Sequence, residues 1–237
     1  MKVNNKKVAL KIIIIIACCI FSSIITLITY KYSTKTSINY YEENIDKVVE
    51  VASYDDENNK SYGTGWFYSD DTIITNYHVV SELINSSREL FNNIDIRFYD
   101  SEDYESVTLL KFNSKLDIAI LQYYGSHSHS YFYINGNVYT SQKCYSIGNF
   151  SNYGLSYKEG YISLEAVRLN YNDTYSNYIQ CSINIGQGDS GAPVFNQKNE
   201  VIGMITFRTK NQNGEVEAGF AYAIPINVIL NSLKIIK

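Results

Sequence analysis

The stretch Gly188-Asp189-Ser190-Gly191-Ala192-Pro193-Val194-Phe195-Asn196 places a serine between glycines, directly ahead of an apolar run typical of a strand. A serine hydroxyl is a good nucleophile only when a base takes its proton and nearby N–H groups stabilise the developing oxyanion. Gly188 and Gly191 let the backbone turn sharply and direct N–H groups at a substrate carbonyl. A plain glycine turn would fit the same residues, so the base has to be found elsewhere. Residues 186–191 also match G-x-G-x-x-G, but a strand follows where dinucleotide binding requires a helix.

Two upstream segments supply a histidine and an aspartate. His78 lies in Thr-Asn-Tyr-His-Val-Val (75–80), directly after an Ile-Ile-Thr strand end. Asp117 opens the apolar run Asp-Ile-Ala-Ile-Leu, where a carboxylate needs a partner such as an imidazole N–H. The chain order histidine, aspartate, serine is one of several orders known for this constellation. The other aspartates between His78 and Ser190 that we considered are predicted to point outward or to lie in a solvated turn. They are Asp95, Asp100 and Asp103.

These three segments together resemble those of the trypsin-like serine peptidases, and most of all the bacterial HtrA-type and V8-type members. The resemblance covers residues 45–237 and implies an all-β, chymotrypsin-like fold of two six-stranded antiparallel barrels. The first barrel is expected at about 45–125 and the second at about 135–237. Short β-branched and aromatic runs bounded by turn residues agree with this fold. Apolar residues at helical spacing predict a C-terminal helix after Pro225. No PDZ-like stretch follows, so we expect a peptidase domain without PDZ control.

The resemblance also implies a mechanism through an acyl-enzyme. His78 would take the proton of Ser190, Asp117 would orient the imidazole, and the N–H groups of Gly188 and Ser190 would form the oxyanion hole. Neither a metal nor an organic cofactor is expected. Because the histidine must be neutral to act as a base, activity should fall below a pH of about 6.5 if the imidazole is unperturbed.

By family position, five residues should contribute to the wall of the primary specificity pocket. They are Asn184, Ile205, Thr206, Phe207 and Gly219. V8-type enzymes carry a histidine where Ile205 stands, and its absence weakens any preference for glutamate. Asn184 stands where a preference for lysine or arginine would require aspartate. We therefore expect a small or aliphatic residue at the cleavage site.

Several residues outside these motifs have chemistry that could give them a role of their own. His127 and His129 lie in a serine-rich loop and are expected to be solvated, not to bind a metal. Asp189 stands where the trypsin branch pairs an aspartate with a new N-terminus made by zymogen cleavage. Since no activation site is evident, a solvated or locally bonded aspartate is expected. Cys144 and Cys181 are compatible with one disulfide or with two buried thiols.

Residues 12–29 are nearly all apolar and long enough to cross a hydrocarbon core. Residues 1–11 are basic, so the positive-inside rule predicts a cytoplasmic N-terminus and a signal anchor at 12–29. Residues 30–44 would then form a tether, with the peptidase domain outside the membrane. A cleaved signal peptide is the alternative, although no Ala-x-Ala-like site follows the apolar run.

The sequence therefore predicts a membrane-anchored, extracytoplasmic serine endopeptidase that acts on proteins or peptides. With a formal net charge of −4, there is no electrostatic reason to expect nucleic acid as a partner. One alternative is a secreted V8-like peptidase, released by signal cleavage. Another is a catalytically silent binding module on the same fold. Ester hydrolysis on a different fold is disfavoured by the residue order and by the absence of G-x-S-x-G.

Overall fold

The computed structural model describes residues 5–35, 39–54, 60–81, 94–171, 173–208 and 219–235. The chain divides into a unit that ends at Tyr40 and a β-rich unit that runs from Tyr41 to Lys237.

The first unit contains one long helix, α1 (Asn5–Lys35). Its segment Val8–Thr29 spans 22 residues and is apolar and long enough to cross a membrane. Hydroxyl groups within the helix are satisfied locally, since Ser22 and Ser23 both donate to the Cys19 carbonyl. Such internal bonding lets polar side chains sit in an apolar helix without exposing unpaired donors.

The β-rich unit begins with a closed six-stranded barrel whose strands follow the order β1-β2-β3-β6-β5-β4. Alternation of buried and exposed residues, clearest along β4 and β5, places one face of these strands inside the barrel. Its core is formed by aliphatic and aromatic residues such as Val49, Phe67, Ile73 and Phe98. The elements are β1 (Val48–Tyr54), β2 (Lys60–Phe67), β3 (Thr72–Thr75), the one-turn helix α2 (Tyr77–Ser81), β4 (Ile94–Arg97), β5 (Glu105–Asn113) and β6 (Ile118–Gln122).

The second half of this unit is also a closed ring of six strands, in the order β11-β8-β9-β10-β13-β12. Pairing of β11 with β12 closes the ring, and the short strand β7 adds to β12 in parallel. The elements are β7 (Tyr133–Ile134), β8 (Lys143–Gly148), β9 (Ser156–Tyr171), β10 (Thr174–Cys181), β11 (Pro193–Phe195), β12 (Glu200–Phe207), β13 (Ala221–Pro225) and the C-terminal helix α3 (Ile226–Ile235). The predicted all-β fold with a C-terminal helix is confirmed, and β7 is an additional strand.

The link between the barrels, residues 123–132, places an aromatic side chain in the seam between them. Phe132, only 2% exposed, lies edge-on to Trp66 of the first barrel at 6.2 Å and 5.5 Å from the ring of Phe195 in the second. Its backbone N–H donates to the Phe67 carbonyl. Because aromatic pairs bury large areas at defined angles, this stack stabilises the docking of the two barrels.

Cys144 and Cys181 are both fully buried in the core of the second barrel and are free thiols. They lie on β8 and β10, and β9 runs between them. A hydrogen bond with the Cys181 thiol, together with burial, raises the pKa of Cys144. Of the two possibilities left open by the sequence, the structure has the pair of thiols.

Candidate active site

The His78 ring is held by the carboxylate of Asp117. His78 is the second residue of α2. Asp117 immediately precedes β6, which pairs with β3 in the same barrel. Asp117 Oδ2 lies 2.8 Å from His78 Nδ1, and Oδ1 accepts the backbone N–H of His78 at 2.9 Å. An ionised carboxylate can only accept, so Nδ1 carries the proton and Nε2 is left as the basic nitrogen. Asp117 is 1% exposed, whereas the His78 side chain is 31% exposed and open to a substrate.

The backbone of Asp117 has a left-handed conformation, with φ of 56°, which is uncommon for any residue other than glycine. Two further contacts hold it there. The Asn76 amide donates to the Asp117 carbonyl at 2.9 Å, and the Thr206 hydroxyl donates to Oδ2 at 2.6 Å. Such strain persists only where surrounding contacts over-determine it, and it concentrates at functional sites. Burial and the nearby charge of Asp117 raise the pKa of Tyr178 to about 12.

The loop that carries Ser190 is tied to the first barrel through β2. The Ser190 carbonyl accepts the Thr64 N–H at 2.9 Å, and the Gly188 carbonyl accepts the Thr64 hydroxyl at 2.8 Å. Within the described residues, no hydrogen bond joins the Ser190 hydroxyl to the His78 ring. Bonds between nucleophile and base are often long before substrate binds, so this arrangement is compatible with both groups acting together.

The peptide between Gln187 and Gly188 has a defined orientation. Its carbonyl accepts the N–H of Ser151 at 2.7 Å, and Gly188 has φ of 91°. In a planar trans peptide the N–H points opposite to the carbonyl, so the Gly188 N–H is turned away from Ser151. Throughout the described part of the chain, the N–H groups of Gly188 and Ser190 have no internal acceptor. Both donors are therefore available for an oxyanion.

A groove of about 250 Å³ borders this loop. It is lined by Tyr62, Ser151, Asn152, Gln187 and Gly188. Ser151 and Asn152 have positive φ values of 54° and 59°, so the backbone at its rim is strained as well. No sequence pattern predicts this groove, because residues 149–154 carry no motif.

The residues predicted for the specificity pocket lie in different environments. Asn184 and Gly219 are exposed, and Ile205 is buried among the core residues of the second barrel. Thr206 contacts Asp117, as described above. Phe207 is half-buried and stacks on Tyr222 at 5.2 Å. Residues 209–218, which follow Phe207 in the chain, lie outside the described residues.

The expectation of solvated loop histidines is wrong for His127 and His129. His127 stacks on Phe98 at 3.9 Å, and its Nε2 lies 3.0 Å from Asp100. His129 stacks on Phe67 at 3.8 Å, so both rings pack on the first barrel. Serine-rich flanking sequence concealed the aromatic partners, which come from distant strands.

Of the two alternatives expected for Asp189, solvated or locally bonded, the structure has the locally bonded one. Asp189 is 1% exposed, its Oδ2 accepts the Gly186 N–H at 2.8 Å, and Oδ1 lies 2.6 Å from Lys158 Nζ. Burial raises the pKa of Asp189, and the charge of Lys158 opposes that effect. Lys158 is 31 residues upstream on β9, so only the pairing of strands brings it to the loop.

Two closed barrels, with a histidine–aspartate pair on one and a glycine-flanked serine loop on the other, define the class of trypsin-like peptidases. Residues 63–204 match the family of the trypsin-like peptidase domain, and the chain belongs to this family.

Curated relatives carry names that agree with this membership. The chain is 32% identical over 161 residues to a probable serine protease do-like of Buchnera aphidicola subsp. Acyrthosiphon pisum. The matched region is 67% of this chain and 31% of that protein. It is 29% identical over 180 residues to a probable periplasmic serine endoprotease DegP-like of Pseudomonas savastanoi pv. phaseolicola, covering 74% of this chain and 35% of that one. The chain thus spans about a third of the length of these relatives.

Solved structures share the fold at low sequence identity. The active form of the Rv3671c protease from M. tuberculosis superposes with a TM-score of 0.70 at 19% identity, over 82% of each chain. The HtrA-type protease AlgW with a tripeptide gives a TM-score of 0.68 at 20% identity, covering 83% of this chain and 62% of that one. The predicted resemblance to trypsin-like and HtrA-type peptidases is confirmed.

Proposed function

We propose that this protein is a membrane-anchored, extracytoplasmic serine endopeptidase in which Ser190 is the nucleophile, His78 the general base and Asp117 the residue that orients the base. The observation that carries this proposal is the Asp117 carboxylate, buried and bonded to both the backbone and the ring of His78. A buried carboxylate fixes the tautomer that leaves Nε2 basic, and it stabilises the imidazolium that forms during reaction.

In the proposed reaction, His78 Nε2 takes the hydroxyl proton as Ser190 Oγ attacks the scissile carbonyl carbon. The N–H groups of Gly188 and Ser190 donate to the oxyanion of the tetrahedral intermediate, a contribution worth about 10²–10³ in rate per donor. The imidazolium then gives its proton to the departing amine, and the C–N bond breaks to leave an acyl-enzyme. Water activated by the same base releases the second product.

The decisive experiment is labelling with a fluorophosphonate probe, which reacts only with an activated serine. The full chain in detergent should label, and Ser190→Ala should abolish both labelling and cleavage of a denatured protein substrate. Ser126→Ala changes an exposed serine of the link and serves as the matched control. An unlabelled full chain, or proteolysis that survives in Ser190→Ala, would eliminate the peptidase in favour of a silent binding module.

The anchored location rests on the composition of α1. The apolar segment Val8–Thr29 is long enough to span a bilayer, basic residues precede it, and one of the relatives above is named as periplasmic. Membrane fractions from the producing cell should contain the chain with its N-terminus intact, and protease added outside should digest the β-rich unit. A soluble extracellular form that starts after residue 29 would instead identify a cleaved signal peptide.

The proposed substrates are proteins or peptides with a small or aliphatic residue before the cleaved bond. Selection of a charged residue would require an acidic side chain or a histidine in the pocket wall. The predicted wall has Asn184 and Ile205 at those two positions. Cleavage of a peptide library by wild-type protein tests this preference, and dominant cleavage after glutamate, lysine or arginine would contradict it.

A further inference from the structure

Behind the loop that carries Gly188 and Ser190 lies a buried ion pair. Lys158 Nζ is 2.6 Å from Asp189 Oδ1, and the two side chains are only 13% and 1% exposed. Lys158 also donates to the Ser156 hydroxyl at 3.0 Å and lies over the ring of Phe150 at 5.4 Å. The ammonium is therefore fixed in place from three sides, although it belongs to β9 and not to the loop itself.

Asp189 connects this cation to the loop backbone. Its second carboxylate oxygen accepts the Gly186 N–H at 2.8 Å, and its backbone N–H donates to the Gly186 carbonyl at 3.2 Å. Its own carbonyl accepts the N–H of Ala192 at 3.0 Å. The carboxylate thus lies at the centre of a tight turn, with Gly188 and Ser190 as its direct neighbours in the chain.

A carboxylate this deeply buried is tolerated only with a partner charge and hydrogen bonds. Arg208 also contributes positive charge to the surroundings of Asp189, but Lys158 is the cation in direct contact. Without Lys158, the charge of Asp189 would be stabilised by moving toward water. Because Asp189 is adjacent to Gly188, that movement would rotate the peptide whose carbonyl accepts the Ser151 N–H.

We propose that Lys158 is a positioning residue that acts through Asp189. It holds the loop that carries Gly188 and Ser190, the oxyanion loop, in its reactive conformation. An internal lysine then keeps the Gly188 and Ser190 N–H groups available, and no new N-terminal amine from proteolytic cleavage is needed. This inference rests on the proposed peptidase function and deepens it, because it assigns the origin of the reactive state to a residue of the intact chain.

The test uses the full chain in detergent with Lys158→Ala and a peptide substrate. We expect kcat to fall about 10²-fold, the effect of losing one oxyanion donor, while KM changes by only a few-fold. Lys143→Met is the matched control, since it removes a lysine from the neighbouring strand β8 whose ion pair with Glu159 is more exposed, with side chains 31% and 52% exposed. Such exposed pairs contribute little, so the control should keep wild-type kcat and KM.

Chemical rescue separates a role of the charge from a role of the side-chain volume. n-Propylammonium replaces the atoms that Lys158→Ala removes, and 1-propanol has a similar size without the charge. Recovery of kcat with the amine alone supports the inference. Equal recovery with both compounds, or a wild-type kcat in Lys158→Ala, overturns it.

A double variant covers the case in which Lys158→Ala does not fold. Lys158→Met with Asp189→Asn removes both charges, so the buried site is left without an unpaired ion. We expect this variant to unfold near the wild-type temperature and still to label slowly with the fluorophosphonate; wild-type labelling would refute the role of the ion pair. If wild type itself does not label, the proposed peptidase function fails first, and the two failures are thus distinguishable.

Discussion

The hydroxyl of Thr206 offers the sharpest test of how the Asp117 carboxylate is held. Thr206→Val keeps the shape of the side chain and removes only the donor that contacts Asp117 Oδ2 at 2.6 Å. The bond is buried, with Thr206 3% and Asp117 1% exposed, so water cannot replace it without rearrangement.

The size of the effect follows from the charge of the acceptor. A hydrogen bond to a charged group contributes about 1.5–3 kcal/mol, which corresponds to a factor of about 10–150 in rate if all of it is expressed in the transition state. Asp117 keeps its two contacts with His78, so we expect the lower end, a loss of about tenfold in kcat/KM. The free energy of unfolding should fall by about 1–3 kcal/mol, because a buried acceptor loses its partner.

The assay compares kcat/KM for a peptide substrate and urea unfolding of each variant. Thr206→Ser retains the hydroxyl and should recover most of the activity. Thr72→Val removes a hydroxyl that donates to the exposed Asp71, and should affect neither quantity by more than a small amount. If Thr206→Val stays within twofold of wild type in kcat/KM, the hydroxyl does not help to position Asp117 and our reasoning is refuted.

Three further predictions concern the oxyanion loop and the second barrel. Gly188→Ala should cost about 1–3 kcal/mol of stability through its positive φ and should also lower kcat, because the added Cβ meets a backbone carbonyl. Gly154→Ala carries the same backbone strain in open space and should leave kcat unchanged; equal kcat in both variants would contradict the assigned clash. Cys144 and Cys181 should react with iodoacetamide only after denaturation, because both thiols are free and fully buried; denatured protein in which neither thiol reacts would contradict the pair of free thiols. Because burial raises the pKa of Asp189, this carboxyl takes up a proton at a higher pH than an exposed one as the solution is acidified, which breaks its ion pair. A folded-state pKa above the unfolded value means that this protonation does not favour unfolding. We therefore expect acidification to lower kcat/KM through loss of this ion pair while circular dichroism stays native; loss of the native circular dichroism together with kcat/KM would contradict this.

The fold and the residues of the proposed site were accessible from sequence because their signals are local. Short strands alternate inward and outward residues and are bounded by turns, which is enough to indicate an all-β unit. His78, Asp117 and Ser190 each lie in a short motif whose flanking residues indicate a strand end or a turn. No assembled structure is needed to recognise such patterns.

The contacts that the sequence did not indicate all join residues that are distant along the chain. Thr206 was placed in the pocket wall, and its bond with Asp117 crosses from β12 to the start of β6. Lys158 reaches Asp189 only through the pairing of β8 and β9 and the position of the loop beside them. The packing of His127 on Phe98 likewise depends on how the link crosses the first barrel. Such contacts are products of tertiary packing, which no local pattern encodes.

The hydrogen bonds from Thr64 to the Ser190 loop also bear on the stage of folding at which the proposed active site forms. During synthesis the proposed base, His78, emerges more than a hundred residues before the proposed nucleophile, Ser190. The two hydrogen bonds can form only once β2 and the Ser190 loop lie side by side. A chain whose second barrel has not yet docked lacks these bonds between Thr64 and the loop. If the proposed function holds, we expect proteolytic activity to require docking of the two barrels at this seam.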